Sequence, residues 1–466
     1  MDHNGRTALS YASAKGHAKV VELLLKKGAD PNTATKDGTT PLQSAVDSGH
    51  YEVSKVLLEH GADPNTDFEL TYTPLESAIE SEHFEIAKLL VEKGANINCA
   101  DSIKTTLLHQ VSDEGNIGAV RFLVEMGADM NVTDVDGETP LYQASEEGNT
   151  EVVKYLVEKG ADLKIADTDG ETPEAAATRN GHIEVVKFLL ENGSDVAARS
   201  DEGWTLLHVA SSMGHFDLTK FLLERGLDVD ATSNSGNTPL FCAVENGHTG
   251  VAELLIERGG ADINRFEGPF SHLVNQLAFD GHTDLLRLVC EKHHAQSHHK
   301  DLSGRNSLHL AARSGNFDTF QYVLSLGLDP TAEDAAGNGL LAYATSGGSL
   351  QIVNTVLSND TTYSPRESSW SSLHWACRAG SLDVIETLLS HGISGEAILT
   401  PLPQESWSPA SIAIYHGHGK VLEELSDSYK FQMGLGNIRT TEFNEQRVGM
   451  RHGDFFCNAC EHVSQY

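Results

Sequence analysis

Eight threonines, Thr7, Thr40, Thr73, Thr106, Thr139, Thr172, Thr205 and Thr238, follow one another at a constant step of 33 residues. Around them recurs one phrase, most complete as Asp37-Gly38-Thr39-Thr40-Pro41-Leu42, then Gly49-His50, Leu57-Leu58 and Gly61-Ala62-Asp63-Pro64-Asn65. A fixed period of that length calls for stacked supersecondary units sharing one elongated core, because no unit can bury its own apolar face.

Each element of the phrase has a physical task. Asp-Gly supplies a tight hairpin turn, since glycine accepts positive φ without strain. Thr-Pro opens a helix: the hydroxyl caps free N–H groups, and proline sits where no N–H is needed. Leu42, Ala45 and Val46 give this first helix a buried face with small side chains. Gly49-His50 turns the chain back, and Val53, Val56, Leu57 and Leu58 fall at helical spacing in a second helix. Gly61 stands where a left-handed C-terminal cap belongs.

The phrase resembles the ankyrin repeat, with its Thr-Pro-Leu-His-x-Ala signature, over residues 1 to 425. The fold expected is all-α, an ankyrin-repeat solenoid of about thirteen units, each a hairpin plus two antiparallel helices. The wording Gly5-Arg6-Thr7-Ala8-Leu9-Ser10-Tyr11-Ala12 is similar to the ankyrin arrays of fungal multidomain receptors and regulators.

Units one to eight, residues 1–258, keep the step. A doubled Gly259-Gly260 then adds one residue, and unit nine, within 259–300, has Ser271-His272-Leu273-Val274 in place of Thr-Pro-Leu. A bend or a cooperative break is expected there. Units ten to thirteen occupy 301–425, and a tail runs through 426–466. Glu174 replaces the core leucine of unit six, where a carboxylate must reach solvent or find a partner. Unit one carries Val20-Val21 and Leu24-Leu25 without the polar outer face of a terminal capping repeat. Something upstream stacks on it, or it is exposed and frays.

The 33 basic and 67 acidic residues give a net charge of −34, which argues against nucleic acid and anionic membranes as partners. No run approaches the roughly 20 apolar residues of a membrane helix. Cys99, Cys242, Cys290 and Cys377 lie singly within units and read as reduced thiols of a cytoplasmic or nuclear protein. The phosphate-loop, zinc-protease, nucleophile-elbow and dinucleotide motifs are all missing, so the chain reads as a non-enzyme.

Twelve of the 23 histidines hold repeat positions, in the inter-helix turn or in the Thr-Pro-Leu-His place, where the resemblance implies inter-repeat hydrogen bonds. The tract from Lys292 to Lys300 instead pairs His293-His294 and His298-His299 in a loop that ordering entropy disfavours as a metal site. In the tail, Cys457 and Cys460 form a Cys-x2-Cys half-site for zinc. Its opening resembles a ZZ-type zinc finger whose later ligands this chain lacks, so no cofactor beyond such a zinc is expected.

The resemblance also implies a binding face along the first helices, in a concave groove. Two positions before each helix turn project into it. In units two to five they are Asp47, Glu80, Asp113, Glu114, Glu146 and Glu147, and hairpin tips add Glu138, Glu171 and Glu202. Arg179, Arg313 and Arg378 take such positions later. Tyr72, Trp204, Trp370 and Trp407 precede first-helix caps, and Trp375 lies within such a helix. The expected function is a protein-binding scaffold or adaptor whose partner contributes a basic segment. The competing class is the sensor part of a larger signalling protein whose catalytic or nucleotide-binding domain lies outside this chain.

Overall fold

The computed structural model describes residues 2–66, 73–265, 272–293, 295, 297–358, 371–393 and 408–421. These divide into two compact units, Met1–Ser235 and Gly236–Tyr466. In the first, helices come in pairs: α1 (Ala8–Ala14) with α2 (Ala18–Lys26), α3 (Pro41–Asp47) with α4 (Tyr51–Glu59), α5 (Pro74–Glu80) with α6 (Phe84–Glu92). There follow α7 (Leu107–Asp113) with α8 (Ile117–Glu125), α9 (Pro140–Glu146) with α10 (Thr150–Glu158), α11 (Pro173–Arg179) with α12 (Ile183–Glu191), and α13 (Leu206–Ser212) with α14 (Phe216–Glu224). First helices pack on first helices and second on second, as in α1–α3–α5, α7–α9–α11–α13 and α8–α10–α12. Among the described residues no strand forms beyond one isolated bridge between Ala100 and Thr106.

The local signals act as the phrase implies. Thr40, Thr73, Thr139 and Thr205 each accept the amide three residues on, and Pro41, Pro74 and Pro140 open their helices. Gly38 (φ 81°) closes the hairpin and Gly61 (φ 87°) caps the second helix in the left-handed region. Leu42, Ala45, Val46, Val53 and Leu57 are buried. Unit one is open on one side: Val21 and Leu25 are covered, while Val20 is 47% and Leu23 57% exposed.

Three kinds of contact recur between neighbouring units. The Thr-Pro-Leu-His histidine caps its own helix and reaches forward: His109 Nδ1 accepts the Thr106 amide at 3.1 Å, so its Nε2–H donates to the Glu138 carbonyl at 3.1 Å. The turn histidine reaches back: His50 Nε2 donates to the Ala14 carbonyl at 3.2 Å and His215 Nε2 to that of Arg179 at 2.8 Å. Its ring lies over the preceding unit's glycine, where a Cβ on Gly148 would stand 2.5 Å from the His182 ring. The third contact is an asparagine ladder: Asn65 Nδ2 donates to the Gly94 carbonyl at 2.9 Å and its Oδ1 accepts the Asn96 amide at 2.7 Å. Asn98 and Asn131 accept the Asp129 and Asp162 amides likewise. After Asn131 the asparagine gives way to Lys164, Ala197 and Asp230.

Glu174 departs from expectation. It neither reaches solvent nor satisfies both oxygens: it is 1% exposed, and Oε2 has no hydrogen-bond partner. Burial pushes its carboxyl up, against the opposing pull of its own amide, Thr172 and Ser194.

The second unit comprises α15 (Pro239–Glu245), α16 (Thr249–Leu254), α17 (Leu273–Asp280), α18 (Thr283–Glu291), α19 (Ser307–Ser314), α20 (Phe317–Ser325), α21 (Leu340–Gly347), α22 (Leu350–Ser358), α23 (Ser372–Ala379), α24 (Leu382–Ser390) and α25 (Pro409–Tyr415). First helices stack α17–α19–α21–α23–α25 and second helices α18–α20–α22–α24. The doubled glycine is absorbed inside a helix. After α16 the chain widens into one π-turn, Leu255–Gly259, and Gly260 (φ 73°) caps it. In most second helices the closing bond spans five residues, as from the Ala62 amide to the Leu57 carbonyl; here it runs six, from Ala261 to Leu255, as it does after α18 from Ala295 to Val289. Helices α17 and α18 form in unit nine although its N-cap, His272, makes no side-chain capping bond. His299 stacks on His272 with ring centroids 3.7 Å apart.

Candidate functional site

In the first unit the second helices α2, α4, α6, α8, α10, α12 and α14 each carry at least one lysine or arginine, whereas α1, α3, α5, α7 and α9 carry none. Several of those cations are engaged on the second-helix side, as with Arg121 over the Tyr155 ring at 4.9 Å and Lys154 paired with Glu151. Acidic side chains are left at the C-terminal ends of successive first helices. Asp47 accepts from Gln43 Nε2 at 2.7 Å and from Ser77 on the next first helix. Glu80 and Asp113 are exposed on α5 and α7, Glu114 and Glu147 are exposed just beyond α7 and α9, and Glu146 is half-buried.

These carboxylates sense one another across units. Burial raises the Glu80 carboxyl, and the charges of Glu114 and Glu76 raise it further. Glu146 is raised by burial; Arg179 opposes this, while Glu147, Asp113 and Asp167 reinforce it. Glu138, at the hairpin tip before α9, is pushed up to about 7, chiefly by burial, with Glu146, Asp134 and Asp136 adding to the effect. A run of like charge without an interleaved cation costs free energy that a cationic ligand recovers. The run ends at α11, where Arg179 pairs with Glu171.

The sign of the Glu138 effect is testable. A carboxyl raised in the folded state penalises folding when ionised; the penalty is full above its folded pKa near 7 and fades as pH falls toward the unfolded value. Glu138→Gln is expected to stabilise the chain by roughly 1 kcal/mol at pH 8, a figure discounted because the carboxylate is only half-buried. The gain should shrink by pH 5, as followed by urea unfolding at the two values.

The aromatic candidates are dispersed. Trp204 is half-buried in the first unit, its amide donating to Ser200 Oγ at 3.2 Å and its ring 6.0 Å from that of His208. Trp375 belongs to the second unit, with the Arg378 guanidinium 5.7 Å from its ring. Tyr72, Trp370, Trp407, Cys457 and Cys460 lie outside the described residues. Residues not singled out from the sequence also shape the face. Asp134 is buried and accepts the Asp136 and Glu138 amides, which fixes the hairpin tip, and the Tyr142 hydroxyl donates to Asp167 of the next unit at 3.0 Å. Asp134 and Asp167 recur 33 residues apart, so the period itself marked them as tip anchors.

Among the described residues no helix is long and apolar enough to cross a membrane. Comparison with known proteins gives a consistent result. The family description "Ankyrin repeats (3 copies)" matches residues 1–68, 35–101, 107–200, 195–267 and 341–435. An ankyrin repeat protein of fowlpox virus is 32% identical over 123 residues, which is 26% of this chain and 86% of that protein. The human SH3 and multiple ankyrin repeat domains protein 2 is 30% identical over 154 residues, 30% of this chain but 8% of that protein. The human transient receptor potential cation channel subfamily A member 1 is 29% identical over 175 residues, 36% of this chain and 15% of that protein. Matched helix pairs, threonine caps, inter-repeat histidines and these alignments agree: the chain belongs to the ankyrin-repeat family.

Proposed function

We propose that the first unit is a protein-binding surface that takes a basic segment of a partner along the first-helix ends of α3, α5, α7 and α9. Ankyrin repeats generally mediate protein–protein interaction, which supplies the class of ligand. The observation that carries the charge preference is the carboxylate run from Asp47 to Glu147, along which the first helices carry no cation, and in which burial first and neighbouring carboxylates second raise Glu80 and Glu146. Lysine or arginine side chains laid along it relieve that repulsion, and the steering is expected to weaken with salt.

The double substitution Glu114→Lys, Glu147→Lys tests this. Both side chains are exposed, so the fold should survive, as circular dichroism will show. Association of a lysine- and arginine-rich peptide should slow by at least about tenfold at low ionic strength and much less at high salt. An unchanged association rate at low salt refutes the assignment.

A second reading, a recognition part of a larger signalling protein, draws on the relatives. A tyrosine-protein kinase of Hydra vulgaris is 29% identical over 133 residues, which make up 17% of its length. Detection of the native polypeptide at a mass near 50 kDa in its own cells would oppose this reading.

A further inference from the structure

The first-helix ends of the second unit change sign. At α15 and α17 they still present Glu245 and Asp280, whose carboxyls burial raises. At α19 and α23 they present Arg313 and Arg378, and between them α21 ends in Ser346 and Gly347, which add no charge and little bulk. Gly347 is small of necessity: a Cβ there would stand 2.6 Å from the Ala312 carbonyl oxygen. The two arginines therefore flank a low floor.

Neither guanidinium has a carboxylate within ion-pair distance among the described residues. Each instead rests near an aromatic ring, Arg313 at 5.5 Å from Phe279 and Arg378 at 5.7 Å from Trp375. Two described carboxylates of these repeats are committed elsewhere. Asp301 holds Arg305 at 2.6 Å, and Asp334 accepts the Tyr343 hydroxyl at 2.6 Å and Asn338 Nδ2 at 3.0 Å. Arg313 is half-buried, and its basicity is lowered by desolvation and by the charges of Arg305 and Arg378. A partly desolvated guanidinium with no carboxylate at ion-pair distance among the described residues, in the field of a second one, is costly, and carboxylates that accept from the two recover that cost.

We propose that the α19–α21–α23 face binds an acidic peptide segment, its carboxylates accepting from Arg313 and Arg378 and an apolar side chain lying against Trp375. Three helices packed at 8–10 Å per step place the outer two about 16–20 Å apart, which about five or six extended residues span. The whole chain carries −34, so long-range electrostatics repel such a segment, and binding can only come from a local cationic site. This site is separate from the carboxylate run of the first unit and opposite in preference.

The test uses the full chain and a fluorescently labelled peptide of that length, rich in aspartate and glutamate with one leucine, followed by polarisation. Its asparagine and glutamine counterpart serves as the neutral control. The acidic peptide should bind and the neutral one at least about tenfold more weakly, while Arg313→Gln and Arg378→Gln each weaken binding by roughly tenfold. Circular dichroism of both arginine variants guards against a loss due only to misfolding. Equal affinity for the two peptides, or full affinity in the double arginine variant, overturns the proposal. So does binding of a phosphorylated neutral peptide with none of the carboxylate peptide.

Discussion

Leu141→Ala is expected to lower the unfolding free energy by about 2–5 kcal/mol, while Glu146→Ala, five residues on along the same helix, should change it little. Leu141 is fully buried, and its truncation leaves a cavity between α9 and the helices that pack on it, α7, α10 and α11. Because each unit touches only its neighbours, the weakening should be local. Amide exchange should accelerate in the flanking units and leave α1 and α2 unaffected. Denaturant melts of the two variants decide the matter, and equal losses would contradict the packing register described above.

Glu174→Leu should have an effect of comparable size and opposite sign. The carboxylate occupies a leucine place, is 1% exposed and keeps one oxygen without a hydrogen-bond partner. Removing a buried, poorly satisfied charge in favour of packed hydrocarbon stabilises by about 1–3 kcal/mol. The folded-state carboxyl is raised, so its ionisation penalty is present above the folded pKa and declines as pH falls toward the unfolded value. The gain from leucine should therefore be larger at pH 8 than at pH 5. A destabilised variant would show that the polar surroundings of Glu174 outweigh the desolvation cost.

What could be read in the chain beforehand was what is local. A threonine capping an amide three residues away, a proline at the first helical position and a glycine at positive φ all act within one turn of backbone. Their sequence signatures are correspondingly sharp at Thr40, Pro41, Gly38 and Gly61. The contacts that join units are separated by about one period, and the phrase alone does not say which atoms meet. Asn65 looks like a loop-former until it is seen to hold both the Gly94 carbonyl and the Asn96 amide. The carboxylate run was legible for a related reason: a charge at a fixed place in a repeat lines up with its counterparts when the units stack. Whether a given charge is free was not legible. Glu171 looks equivalent to Glu138 in the phrase, yet Arg179 holds Glu171 while Glu138 has the neutral Gln143 amide beside its acidic neighbours. Glu174 was the hardest case, since nothing in one sequence separates a carboxylate that escapes to solvent from one that the neighbouring helices enclose.

The π-turn at Leu255–Gly259 has a bearing on how such an array can change over time. One additional residue in a strand would send every later side chain to the opposite face, and one in the middle of a helix would rotate its apolar stripe by about 100°. Here the surplus is taken up where the second helix is about to end, behind the buried Leu254, Leu255 and Ile256, and Ala261-Asp262 resumes the phrase on the far side. Later units inherit a shifted count but an unshifted geometry. Helix ends of this kind let a gene lengthen or shorten by single codons without silencing the units downstream, so the array can drift in length while its faces keep their chemistry.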